Sequence, residues 1–199
     1  MITLYHAPRS RSSSILWLLE ELGEPYKIEI TPIVYGNGTG ASAPDSYRRI
    51  HPHKKVPAID HDGTAVFESA AIVAYLADAF PKAKLAPPIG DKRRGPYFTW
   101  LAYYTGVMFP ILTARFRGWD KDDSTGFGTL DDMEAFLGAT LEAHPYIVGD
   151  EFTAADILIG GAVEFFKTNH LSKRKAYDDY VARVMGRPAR LRALAKDNG

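Results

Sequence analysis

The chain has 199 residues, 46% of them hydrophobic and 24% charged, enough apolar material for one or two globular domains and too much for a disordered chain. Basic and acidic residues balance at 24 each, so no net field draws the chain to nucleic acid or an anionic membrane. There is no cysteine, which removes disulfides, thiolate metal sites, a Cys nucleophile and a Cys-x-x-Cys redox centre, and no apolar run reaches the roughly eighteen residues a membrane helix needs.

Ile2 to His6 reads as a short buried strand starting at once, which predicts no secretory leader and a cytoplasmic location. Pro8 to Ser14 is polar and turn-rich, and Ile15 to Leu22 carries apolar residues at helical spacing. Gly23 is a terminator with Pro25 beyond it. Tyr26 to Thr31 alternates, with Tyr26, Ile28 and Ile30 on one side, so the first unit reads as strand, crossover helix and parallel strand. Tyr35 to Pro44 reads as a loop and Asp45 to Ile50 as one or two helical turns. Val56–Asp60 and Thr64–Phe67 flank His61-Asp62-Gly63, a hairpin signal, and Ser69 to Phe80 follows as a helix.

The expected organisation is α/β plus all-α: residues 1–80 as a βαβ-α-ββα domain, 81–91 as a linker and 92–199 as a helical bundle. The bundle is expected from Arg93 to Leu112, interrupted near Gly106 and Pro110, then Leu130 to Ala143, Thr153 to Thr168, Tyr177 to Met185 and Pro188 to Lys196. Trp119 to Gly128 reads as a polar loop. Thr153 and Asp156 have the spacing of a capping box, with Phe152 and Ile157 as its staple.

Three stretches carry a family resemblance. They are Pro8-Arg9-Ser10-Arg11-Ser12-Ser13-Ser14 leading into the first helix, His51-Pro52-His53-Lys54-Lys55-Val56-Pro57-Ala58-Ile59 followed by Phe67-Glu68-Ser69-Ala70-Ala71-Ile72, and Gly149-Asp150-Glu151-Phe152-Thr153-Ala154-Ala155-Asp156-Ile157. In order and spacing the chain resembles the cytosolic glutathione transferases, and the Ser-Arg-Ser run resembles a bacterial and fungal subgroup. The resemblance implies a thioredoxin-like first domain, a helical second one and a homodimer. It also implies glutathione as co-substrate with no metal, and a small hydrophobic electrophile as the second substrate. No nucleic-acid or membrane partner is expected.

A free thiol has a pKa near 8.5, and lowering it by about two units takes roughly 2.7 kcal/mol of preference for the thiolate. A hydroxyl donor and a helix N-terminus both favour the charged form. The resemblance puts Ser10 at the glutathione sulfur, with Ser12 and Tyr5 as alternatives. Capping is the other use of such serines, and a strand aromatic is the other reading of Tyr5. Val56–Pro57 resembles the family's cis-proline site, where the Val56 backbone would meet the cysteinyl part of the peptide. Glu68 suits the γ-glutamyl ammonium, and Ser69 at a helix start suits its carboxylate. Lys55, or Lys54 or His53, suits the glycyl carboxylate. Tyr103 and Tyr104 are the candidates for the electrophile pocket, with core packing as their other reading. His51, His53 and His61 lack a preformed ligand spacing, so no metal is expected. Beyond conjugation, glutathione-dependent peroxide reduction or isomerisation, or a non-catalytic binding module, stay open.

Overall fold

The structure is a computed structural model that describes residues 1–36, 40–119 and 126–197. Most of the expected loop from Trp119 to Gly128 lies outside the described residues.

The chain divides into two compact units, one of residues 1–83 with the C-terminal helix, the other of residues 84–187. In the first, the strands β1 (Ile2–His6), β2 (Tyr26–Ile30), β5 (Ala58–His61) and β6 (Thr64–Phe67) form a sheet in the order β2-β1-β5-β6. β1 and β2 are parallel, while β5 runs antiparallel to both β1 and β6. The crossover between the parallel pair is α1 (Ser12–Leu22), and α2 (Ser69–Ala79) follows β6. This is the strand and helix order expected from the pattern, and the thioredoxin-like arrangement that the resemblance implies. Ile15, Leu16, Trp17, Leu18, Leu19 and Leu22 of α1 are all buried because β1, α2 and the C-terminal helix surround it. Gly23 ends α1 in the left-handed region, φ 71°, its N–H reaching the Leu19 carbonyl. On the opposite face of the sheet Tyr5 and Ala58 pack with Ala43, Tyr47 and Ile50.

Two local readings change. Ile28 and Ile30 are exposed, because β2 is an edge strand with one sheet neighbour. Within the expected loop from Tyr35 to Pro44, Val34–Gly36 and Gly40–Ser42 form a short antiparallel pair, β3 and β4. Backbone pairing of three residues a side leaves no hydrophobic alternation to detect.

The second unit is helical: α3 (Arg94–Tyr103), a π-helical turn at Tyr104–Met108, α4 (Phe109–Arg117), α5 (Leu130–Ala143), α6 (Ala154–Phe166) and α7 (Lys175–Met185). The expected interruption near Gly106 and Pro110 is a widened turn rather than a break. Pro110 has no N–H to return to Gly106, and the Phe109 N–H reaches Tyr104, five residues back. α6 is the core of this unit, buried at nearly every position from Ala154 to Val163. The last helix, α8 (Pro188–Asp197), groups with the first unit, whereas the sequence reading placed it in the bundle. Its partners are on α1: Arg192 and Lys196 both bind the buried Glu20 carboxylate, and Arg190 lies over Trp17.

Candidate functional site

The strand registers bring three connections to one end of the sheet. Tyr5 pairs with Ala58 and Ala58 with Phe67. The loop after β1, the Val56–Pro57 step before β5 and the Glu68–Ser69 step after β6 therefore lie side by side.

In the loop after β1 the serines part company. Ser12 is fully buried. Its Oγ lies 2.8 Å from His6 Nδ1 and 2.8 Å from Ser10 Oγ, and accepts the Ala7 N–H. Ser10 is half-buried, and its Oγ accepts the Ser12 N–H at the mouth of α1. Ser10 thus holds the outer position and Ser12 the inner one. Tyr5 is buried on the opposite face of the sheet, edge-on to Tyr47, with its phenol pushed up first by burial and then by Glu29. Tyr5 packs in the cluster on that face, while Ser10 stands at the start of α1.

The loop is held from below by Asp197 at the end of α8. Its Oδ1 accepts the Arg9 N–H at 3.0 Å and the Ser13 hydroxyl at 2.8 Å, and lies 3.1 Å from His6 Nε2 in a close but oblique contact. Arg9 sits at φ 54°, a conformation costing a non-glycine residue about 1–3 kcal/mol, which the Asp197 contact offsets. Burial pulls the His6 imidazole below its ordinary pKa, and Asp197 opposes that.

The Val56–Pro57 bond is cis. Among the described residues neither the N–H nor the C=O of Val56 takes a hydrogen bond. Lys54, at φ 56°, turns back to Asp45 at 3.0 Å, while Lys55 is exposed. The buried His51 imidazole accepts the His53 N–H and lies against Phe67. Its pKa is lowered first by burial, with Glu68 raising it and His53 and Lys55 lowering it, which places those charges around one ring. His51 thus organises this segment, a role the sequence reading missed because it took the histidine as part of a family motif and weighed its side chain as a metal ligand. Glu68 is exposed at φ 69°, and Ser69, 8% exposed, opens α2.

In the helical unit Tyr103 is half-buried among Trp100 and Phe136, and Tyr104 is buried against Phe109. Both stand in aromatic packing. Among the described residues no group of three His, Asp or Glu side chains is arranged to hold a metal.

The model of the family described as "Glutathione S-transferase, N-terminal domain" matches residues 10–79, the span that contains all three connections except the first turn after β1. Over these residues the chain is similar to the glutathione S-transferases. It is 27% identical to Glutathione S-transferase 3 of Schizosaccharomyces pombe, over 95% of this chain and 85% of that protein. It is 28% identical to Disulfide-bond oxidoreductase YfcG of Escherichia coli, over 98% and 95%. The theta class glutathione S-transferase of Xanthomonas axonopodis pv. citri, solved with glutathione bound, superimposes with TM-score 0.75 and 25% identity over 97% of this chain and 96% of that one. The likeness runs over both the thioredoxin-like unit and the helices that follow it. No helix among the described residues is long and apolar enough to cross a membrane.

Proposed function

We propose that this glutathione S-transferase relative binds glutathione at the end of its sheet and transfers the thiolate to a small hydrophobic electrophile. The observation that carries the reading is the outer position of the Ser10 hydroxyl, half-exposed at the mouth of α1 while Ser12 is buried beneath it. In this reading the Ser10 hydroxyl and the N-terminus of α1 hold the sulfur as thiolate. The Val56 backbone pairs with the cysteinyl residue, Ser69 and the start of α2 take the γ-glutamyl carboxylate, and Glu68 takes the ammonium. Lys55, or Lys54 or His53, serves the glycyl carboxylate, Lys54 standing 3.0 Å from Asp45. Tyr103 and Tyr104 are proposed for the electrophile's side, and the chain is proposed to pair with a second copy of itself.

A second reading rests on the relative named a disulfide-bond oxidoreductase. With no cysteine in the chain, glutathione itself would supply every thiol in such chemistry. The deciding experiment retains the protein on immobilised glutathione and then measures turnover with an aromatic halide, with cumene hydroperoxide and with a small disulfide. Conjugation of the halide supports the first reading, turnover confined to the peroxide or disulfide supports the second, and retention without turnover indicates a binding module. Failure to bind glutathione removes all three.

A further inference from the structure

Ser10, Ser12, His6 and Asp197 form one line from the surface into the interior, and the capping of α1 does not need its inner half. Ser10 Oγ and Ser12 Oγ are 2.8 Å apart, Ser12 Oγ and His6 Nδ1 are 2.8 Å apart, and His6 Nε2 is 3.1 Å from Asp197 Oδ1. His6 is 1% exposed, Ser12 0% and Asp197 6%, so the chain's inner end is closed off from bulk solvent. The Asp197 carboxylate selects the tautomer with its proton on Nε2, because a bare Nε2 would set a lone pair against it. Nδ1 is then an acceptor. The Ser12 hydroxyl has two acceptors within reach, Nδ1 at 2.8 Å and the Ala7 carbonyl at 3.1 Å; in the relay it takes the shorter, and with the Ala7 N–H on its oxygen it receives the Ser10 hydroxyl. Ser10 Oγ, which also accepts the Ser12 N–H, has one lone pair left.

We infer that Ser10, Ser12 and His6 are a proton relay that takes the proton of the bound glutathione thiol and stores it on the His6 imidazole beside Asp197. This rests on the sulfur lying at Ser10. The S–H bond breaks as its proton joins Ser10 Oγ. The original Ser10 proton passes to Ser12, and that of Ser12 passes to His6 Nδ1. The products are a thiolate and an imidazolium, with net charge unchanged and every hydroxyl now donating outward, Ser10 towards the sulfur. Burial works against the imidazolium, and the Asp197 carboxylate works for it. Asp197 on α8 is the carboxylate that meets the imidazolium. Ser12 from α1 meets the ring at Nδ1, and on β2 the residue in register with His6 is the uncharged Ile30. The loop's charged residues are Arg9, which joins through its backbone N–H, and Arg11, both with exposed side chains. Lys196 on α8 is engaged by Glu20.

The test is to titrate the full-length protein with glutathione near neutral pH in buffers of different ionisation enthalpy, following thiolate by its ultraviolet band in the same samples. The relay requires thiolate to appear with close to no proton released. One proton released per thiolate formed overturns the relay and leaves the glutathione site standing. Binding without thiolate also overturns the relay, and no binding overturns it together with the site. In His6→Gln, and in Asp197→Asn as a second variant that keeps an acceptor for Arg9 and Ser13, the apparent thiol pKa should rise by about one unit, a tenfold loss of thiolate per unit at pH well below it. Any thiolate that remains in His6→Gln should now release its proton. A merely structural role would lower stability and leave the proton count unchanged.

Discussion

Ser10 and Ser12 are two residues apart, yet one is a surface group and the other a core group. Ser12→Ala removes a buried hydroxyl that satisfies Ala7 and His6, and should cost about 1–3 kcal/mol in urea unfolding. Ser10→Ala should leave the unfolding midpoint nearly unchanged and raise the apparent pKa of the bound thiol, read from the pH dependence of the thiolate band. The reverse pattern would move the sulfur-binding role to Ser12. From the sequence both serines were open, because a run of hydroxyls before a helix does not reveal which one the next strand covers. Which lysine turns inward was open as well, since no pattern in the sequence records that a left-handed backbone at Lys54 carries its ammonium to Asp45. His6 and Asp197 could not be joined at all. They are 191 positions apart, and no local periodicity records that α8 ends beneath the first loop. Val56–Pro57 and Glu68–Ser69 were legible because their neighbours on the strand and helix are short-range.

At the scale of elements, α8 is held to α1 by charge. Glu20 is buried, which raises its pKa, yet Lys196, Tyr26 and Arg192 outweigh that and pull it down to about 2. A carboxylate whose folded pKa lies below its unfolded value stabilises the protein above pH 4.5 or so, and that contribution fades as pH falls towards 2. Its size is on the order of 2–3 kcal/mol. Glu20→Gln should therefore lower stability at pH 7 and flatten the acid limb of the stability curve between pH 5 and pH 2, by roughly that amount. An unchanged acid limb would mean that the three partners do not hold the charge. In the helical unit, Asp156 is fully buried at the third position of α6. Burial pushes its carboxyl up against hydrogen bonds from the Thr153 and Ile147 N–H groups and the Tyr180 hydroxyl. Thr153→Ala should cost about 1 kcal/mol and Asp156→Ala about 2–4 kcal/mol, with glutathione affinity unchanged in the folded variants, as denaturation and calorimetry would measure. α6 was legible from its capping residues and apolar run. Its close approach to α7 was not: a Cβ on Gly160 would lie 2.8 Å from Val184 Cγ2, and nothing in the sequence distinguishes this glycine from any other helical one.

On the scale of the whole molecule, the order of elements follows from the sequence pattern, while the division of the chain does not respect chain order. The first unit is completed by the last helix, which supplies Asp197, Arg192 and Lys196 to α1 and the loop before it. A chain ending at Arg187 should lose stability in the first unit and, with it, thiolate formation, even though every family motif is retained. The proposed pairing with a second copy is read by sedimentation equilibrium, where a monomer at all concentrations would remove it. The most direct measurement of the central claim is a crystal structure of the protein with glutathione. The sulfur should lie within hydrogen-bonding reach of Ser10 Oγ, with the cysteinyl backbone against Val56 and the γ-glutamyl carboxylate at Ser69. A tripeptide bound with its sulfur away from Ser10, or an empty end of the sheet at saturating glutathione, would contradict it.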